Sequence, residues 1–404
     1  MPDTYDVIVV GARCAGSPTA MLLARSGYRV LVVDRSSFPS DTVSTHLIHA
    51  PGVDALRRWG LLDKIVATGC PPIDNYSFDF GPITIAGTPL PAGGSSTAYA
   101  PRRTVLDTLL VDAAAEAGAE VREGFTVDEI VIEDGRVTGI RGRDRDGATC
   151  TEHARVVIGA DGANSRVARA VKPEQYSEKP ILQAGYYTYF SDLQVSGFET
   201  TIRPDRGWAA LPTNDGLTLV VLGWPYAEHA AFNADVEGNF LKTFEMSPAF
   251  AERVRSATRV DRFHGSPVPN FFRKPFGPGW ALVGDAGYIK DPITAQGITN
   301  AFRDAELCVD ALDATFTGRQ SFDDAMASYQ TERDTHSMPM YEFTTQLATL
   351  HTPPPDLQQL LGGIYGNQPA MDAFVSITAG TLSPVEFFDP ANLAALMAPP
   401  AMSR

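Results

Sequence analysis

The chain has 404 residues, a formal charge of −15 and 44% apolar residues, long enough for two domains or one large α/β domain with an excursion. That acidic balance, with no basic stripe, argues against nucleic acid as a partner. No run approaches about 18 consecutive apolar residues, and no basic, apolar leader precedes Tyr5, so a cytosolic protein without a membrane span is expected. Cys14, Cys70, Cys150 and Cys308 are scattered without metal-ligand spacing and read as small buried hydrophobes, so no metal site is expected.

The first strong signal runs from Tyr5 to Arg35. Val7 to Val10 form an apolar, β-branched run of the kind buried on both faces of a parallel sheet. Gly11 and Gly16 bracket a turn, Pro18 sits just inside a helix and Gly27 just past its end, and a second strand over Val30 to Val33 leads into Asp34 and Arg35. Gly11 permits the sharp turn, Gly16 lets helix and strand approach, and the helix N-terminus offers N–H groups to a pyrophosphate. Asp34 stands where an acid accepts hydrogen bonds from a ribose hydroxyl. Arg13 replaces the middle glycine of the usual fingerprint, so its Cβ crowds a pyrophosphate that its guanidinium is able to hydrogen-bond. A nucleotide site is expected; the rival is a purely structural βαβ turn.

Beyond Arg35 a loop carries Ser44, Thr45 and His46 into a short helix, Gly52 to Trp59. His46 and His49 are weighed as a catalytic pair against a structural use. Pro71 to Pro101 reads as a β excursion. A helix follows with Leu106, Leu110 and Ala113 on one face, Thr104 and Asp107 at capping-box spacing, and Arg102 and Arg103 as solvated charges or a nucleotide clamp. Strands fill Val121 to Ile140, and Val156 to Ala160 is another, broken by Asp161 and Gly162 before a helix carrying Arg166. Pro180 to Pro269 reads as antiparallel strands with aromatic residues on one face, plus a helical piece over Ala227 to Arg255. Trp280 to Val283 is a strand, Gly284-Asp285 the turn at its C-terminal end, and a helix begins near Gly297. The final ~75 residues read as helices broken at His351 to Pro355, packing across the back of the nucleotide domain or serving as a homodimer contact.

The Gly11 to Asp34 cradle, Asp161-Gly162 and Gly284-Asp285 occur in the order and spacing of the single-component FAD-dependent monooxygenases, the flavoprotein aromatic hydroxylases, which the chain resembles from Tyr5 to Leu312. The resemblance implies an α/β fold: a Rossmann-like parallel FAD-binding sheet with an inserted antiparallel substrate sheet and a helical C-terminal region. The expected limits are 1–75, 100–178 and 268–330 for FAD, 76–99 and 179–267 for substrate, and 331–404 for the helices. It further implies that Gly11, Arg13, Gly16, Asp34, Arg35 and Arg103 hold the ADP half and reach the cofactor. Asp161 and Gly162 would serve both FAD and a nicotinamide nucleotide, Asp285 the ribityl chain, and Pro292 and Gly297 the isoalloxazine ring. NAD(P)H would then reduce the flavin, O2 would form a C4a-hydroperoxide, and its distal oxygen would pass to an apolar, aromatic or polyketide-like small molecule.

Tyr187, Tyr189, Trp208 and Trp224 are the expected pocket aromatics, provided the strand register turns them inward. No general base is assigned; His46, Tyr187, His229 and His264 are candidates, each read first as structural. The hydroxylase arginine expected before the Trp59 helix is missing. Halogenase relatives of the fold carry a W-x-W-x-x-P element and a lysine in a glycine-rich setting, which the lone Trp208 and Lys64 do not reproduce. An isoprenoid-saturating ene reductase is the stronger rival, although its Y-x-W-x-F-P element is not evident. A flavin-binding protein without catalysis is a further alternative.

Overall fold

The computed structural model describes residues 4–265 and 267–397, so the ends of the expected 1–75 and 331–404 segments lie outside it. Strand β1 (Tyr5–Val10) is followed by helix α1 (Gly16–Arg25) and strand β2 (Val30–Asp34), then by α2 (Ala50–Arg58) and α3 (Arg103–Glu116). The long strand β3 (Thr149–Gly159) pairs parallel with β1, which pairs parallel with β2 on its other side. Val7 and Val9 face α1 and α3, whereas Ile8 and Val10 face a layer containing Phe125, Val127, Ile130 and Ile140. Both faces of β1 are therefore covered, which is why its sequence runs apolar without alternating.

Three strands of the second sheet come next: β4 (Gln183–Ser191), β5 (Arg206–Pro212) and β6 (Thr218–Pro225), paired antiparallel with β6 in the middle. Tyr76–Asp79 and Thr84–Gly87, from the first excursion, join the same sheet. One of its faces holds Trp208, Trp224, Phe240, Phe244 and Phe250. The helical piece expected over Ala227 to Arg255 is three helices, His229–Asn233, Val236–Thr243 and Pro248–Arg255. Asp235 starts the second by accepting from the Gly238 N–H at 2.9 Å, and Pro248 starts the third.

The chain returns to the parallel sheet with β7 (Trp280–Leu282), beside β3, and continues into α4 (Gly297–Phe316) and α5 (Phe322–Leu347). The first part of α5, through Ala325, Met326 and Tyr329, packs behind the nucleotide sheet, just ahead of the final ~75 residues expected to do so. Pro355–Ile364 and Gln368–Ala379 instead lie on the other face of the second sheet, with Leu360, Ile364 and Val375 against Tyr76, Tyr187 and Leu219. Their apolar faces find a partner there because helices 229–255 cover only the opposite side.

Three glycines let the strand ends meet. Gly11 has φ +103°, and a Cβ on it would stand 2.5 Å from the Ala160 carbonyl oxygen. A Cβ on Gly16 would stand 1.8 Å from the Gly11 carbonyl oxygen, and one on Gly284 2.8 Å from the Ala15 Cβ. Backbone oxygens cannot rotate aside, so Gly16→Ala is expected to destabilise the protein by about 3 kcal/mol. Gly362→Ala, where a Cβ meets nothing within 4 Å, is expected to be neutral or slightly stabilising. Urea unfolding of both variants checks this, and equal midpoints would contradict it.

Candidate functional site

A single cavity of about 1790 Å³ runs from the C-terminal ends of β1 and β2, past the turn after β7, to the second sheet. Gly11, Arg13, Asp34, Arg35, Arg103, Asp161, Gly162, Asp285, Pro292 and Gly297 all line it. Gly16 does not, and acts from beneath by admitting α1 to β1. No side chain caps α1, whose N-cap position is Ala15, so its first N–H groups and its dipole point at the cavity.

The charges at that end are fixed by one carboxylate. Asp107 is fully buried on α3, accepts from Arg103 Nε at 3.0 Å and from Arg13 at 2.5 Å, and takes the Cys14 thiol at 3.4 Å. It is no capping residue: α3 starts at Arg103, after Pro101, with no side-chain cap, which places Asp107 in the second turn. Arg13 also donates to the Ser40 hydroxyl at 2.9 Å and lies 5.3 Å from the Phe38 ring. Arg102 turns away, 4.7 Å from the Tyr189 ring. Cys14 is inert, because burial pushes its thiol well above the ordinary range.

Asp34 accepts from the Ala12 N–H at 2.8 Å and the Ser36 N–H at 2.7 Å, which orients its carboxylate at the cavity edge. Asp161 accepts from the Arg166 N–H at 2.6 Å, while its second oxygen is buried without a partner and burial pushes the carboxyl up. Asp285 is exposed to the cavity yet surrounded by protein. Burial raises it, with Lys290 and Arg103 pulling the other way.

The candidate histidines are each in contact with other protein groups. His46 is completely buried, with its Nδ1 2.8 Å from the Ser44 carbonyl oxygen and its Nε2 2.6 Å from the Tyr189 hydroxyl, which holds a left-handed φ of +65°. His49 Nδ1 lies 2.8 Å from the Tyr76 hydroxyl and Nε2 3.0 Å from the Thr294 carbonyl oxygen. Burial lowers His46 to about 3 and His49 to about 4, so both are neutral and neither pairs with the other. His264 stacks on Tyr187 at 5.2 Å, and half-buried His229 lies 3.1 Å from Asn233 and does not line the cavity.

Of the expected pocket aromatics, Tyr187 lines the cavity, and Tyr189 shares its face of the second sheet but is fully buried and does not line it. Trp208 borders the cavity without turning its ring into it, and Trp224 does not border it. The Trp224 ring stacks on Phe232 at 3.4 Å and the Trp208 ring packs 5.5 Å from Phe244, both on the opposite face. In their place the cavity floor has glycines. Gly185 pairs with Gly223, and Gly223 with Gly207, a row across three adjacent strands that all border the cavity. Glycine inside a strand marks a close approach, and that signal was available in the sequence.

Two further groups have no sequence signal of their own. Gln183 Nε2 donates to Asp291 Oδ1, which also accepts from the Ile293 N–H at 3.0 Å; burial pushes Asp291 up to about 7. Lys290, 8% exposed, borders the cavity beside them.

Two sheets meeting over one elongated cavity, with a glycine-cornered, dipole-fed end, define a dinucleotide-dependent enzyme of the flavoprotein type. Residues 4–344 match the FAD binding domain family, and the chain belongs to that family, as an FAD-dependent oxidoreductase. It is 30% identical over 328 residues to a digeranylgeranylglycerophospholipid reductase of Methanosarcina mazei, covering 77% of this chain and 75% of that protein. The fold is shared with a myxobacterial chondrochloren halogenase (TM-score 0.80, 22% identity, 98% of this chain and 96% of the other). It is shared also with a probable FAD-dependent monooxygenase from Pseudomonas aeruginosa (TM-score 0.75, 20% identity, 87% and 97%). Among the described residues, no helix is long and apolar enough to cross a membrane.

Removing Asp107 leaves Arg103 buried without its partner, so Asp107→Ala is expected to lower the unfolding free energy by about 3–5 kcal/mol; a loss under about 1 kcal/mol in urea would contradict the assignment. The histidines give a pH signature. The unfolded chain protonates His49 near 6.5, while the folded chain holds it to about 4. Between those values the unfolded state binds the extra proton, so stability falls as the pH drops through that window. His49→Gln is expected to flatten the pH dependence of unfolding there by about 1.4 kcal/mol per pH unit relative to wild type, and an unchanged slope would refute the buried neutral state.

Proposed function

We propose that the protein is a monooxygenase that consumes NAD(P)H and transfers one oxygen atom of O2 to a flat, apolar small molecule of aromatic or polyketide-like type. The observation that carries this reading is the floor of the cavity. Gly185, Gly223 and Gly207 border the cavity beside Tyr187 without side chains of their own, with Gln183 laid against Gly223 and Leu350 against Gly207, and they share that cavity with the loop from Pro292 to Gly297. A planar molecule resting there would lie against that loop in a site closed by the C-terminal helices.

The residues present fit FAD. Gly11 borders the cavity at a backbone turn of φ +103°, α1 offers its uncapped N-terminus, and Arg13 and Arg103, both tied to Asp107, border the same end. In this reading Gly11, Arg13 and Arg103 would hold the pyrophosphate, Asp34 and Arg35 the adenosine end, and Asp285 the ribityl chain. Pro292 to Gly297 would lie along the isoalloxazine ring, with the N-terminus of α4 at its pyrimidine edge. Asp161 and Gly162, with the unpartnered Asp161 oxygen, would contribute to the nucleotides. FAD supplies electron transfer and oxygen chemistry when bound; the chain supplies the cradle, the flat floor and the exclusion of water. On this basis residues 76–99 and 179–267 serve substrate and the remainder up to residue 330 serves the cofactor.

A second reading is an ene reductase. It is favoured by the 30% identity to the archaeal reductase over three quarters of the chain. Oxygen separates the two. With FAD-loaded protein and a panel of phenols, naphthols and prenylated lipids, monooxygenation predicts NAD(P)H consumption matched by O2 uptake and products heavier by one oxygen. Saturated product formed anaerobically would replace this reading with the reductase.

A further inference from the structure

Lys290 is the one buried ammonium bordering the cavity among the described residues, and its position is unusual. It has 8% of its surface exposed, no hydrogen bond and no ion pair; its one contact of note is the Tyr288 ring, 5.3 Å away. A lysine withdrawn from water normally finds a carboxylate or a carbonyl oxygen. Here the carboxylates in range, Asp285 after β7 and Asp304 on α4, stand off from it, and each is engaged elsewhere or raised by its own burial. Asp304 accepts from the Gly284 N–H at 3.0 Å and is pushed up to about 6, and Asp285 opens into the cavity.

The other groups facing Lys290 do not supply a counter-charge either. Arg303 on α4 opposes it, His49 ahead of α2 is neutral, and Tyr288 has its hydroxyl bonded to Ser337. At one remove stand Arg103, which acts on Asp285, and Arg333 of α5, 5.8 Å from the Tyr288 ring. Asp291, next in the chain, turns to Gln183. The cavity wall thus carries a lysine without an ion pair, on which Asp285 and Asp304 act only from a distance, two residues ahead of the loop assigned to the isoalloxazine ring.

We infer that Lys290 is the charge-compensating residue for the flavin: it gains a proton when the bound FAD is reduced to its anionic form, and stabilises that anion across the cavity wall. The inference rests on the placement of FAD in the preceding subsection. Burial, assisted by Arg303, lowers Lys290 to about 7, so at mildly alkaline pH the amine is neutral with oxidised flavin. A negative charge arriving nearby raises its proton affinity. Reduction then balances as follows. FAD takes two electrons and one proton to give the anionic reduced flavin, and the Lys290 amine takes a second proton from solvent to become ammonium. The electrons come from NAD(P)H in turnover, or from dithionite in the test.

The test is the pH dependence of the two-electron midpoint potential of the FAD-loaded protein between about pH 7.5 and 9, measured against redox dyes. Wild type is expected to take up two protons per electron pair in that range and Lys290→Met one, with a lower potential. Lys290→Arg, charged at every pH in the range, is expected to take up one proton while keeping a potential above that of Lys290→Met. A purely structural lysine would leave the proton count unchanged, and equal proton counts in wild type and Lys290→Met would overturn the inference. A wild-type protein that fails to retain FAD would instead remove the cofactor placement, a result visible in the absorbance spectrum before any potential is read.

Discussion

The structure depends on how closely backbone approaches backbone at the ends of the parallel strands. Gly11 sits against the Ala160 carbonyl, Gly16 against Gly11, and Gly284 against Ala15, so three segments separated by well over a hundred residues share one corner with no side chain between them. Any Cβ there would push β1, β3 or the turn after β7 outward by more than the packing tolerates. The corner fixes the N-terminus of α1 and the turn at Gly284-Asp285 relative to each other, and the cavity follows from that. Its polar end is the gap these segments leave, and its apolar end is the sheet that the inserted strands bring over the top.

Charge is arranged around that corner in two different ways. Near α1, Asp107 orients both Arg13 and Arg103 and offsets one of their two charges, so two cations reach the cavity within a shared, hydrogen-bonded network. Elsewhere along the cavity the charges are left incomplete. Asp161, after β3, and Asp291, before α4, each keep a buried oxygen without a partner, and Lys290 borders the cavity without an ion pair. Polar groups left without a protein partner at the wall of a cavity are open to a ligand's donors and acceptors.

The cradle was legible because its signals are local: glycine, apolar strand, helix and acid fall within 30 residues and each has a geometric reason. Other parts were not, for identifiable causes. The second sheet is apolar on both faces, covered by helices 229–255 on one and by the C-terminal helices on the other, so aromatic residues gave no indication of which way Trp208 and Trp224 pointed. Thr104 and Asp107 have the spacing of a capping box, but Asp107 binds Arg103, one turn earlier, and Arg13, 94 residues earlier. Amphipathic helices after residue 350 need an apolar partner without saying which one. Lys290, Gln183 and Asp291 are ordinary polar residues until the cavity around them exists.

The account's central claim, that the three glycine corners converge on one FAD, is tested most directly by difference electron density from crystals grown with FAD. It predicts the pyrophosphate at the N-terminus of α1, the adenosine toward Asp34, and the isoalloxazine ring along Pro292 to Gly297 above the Gly185–Gly223 floor. Density for the dinucleotide anywhere else on the protein, or an isoalloxazine ring turned out of the cavity with the floor covered by side chains, would contradict it.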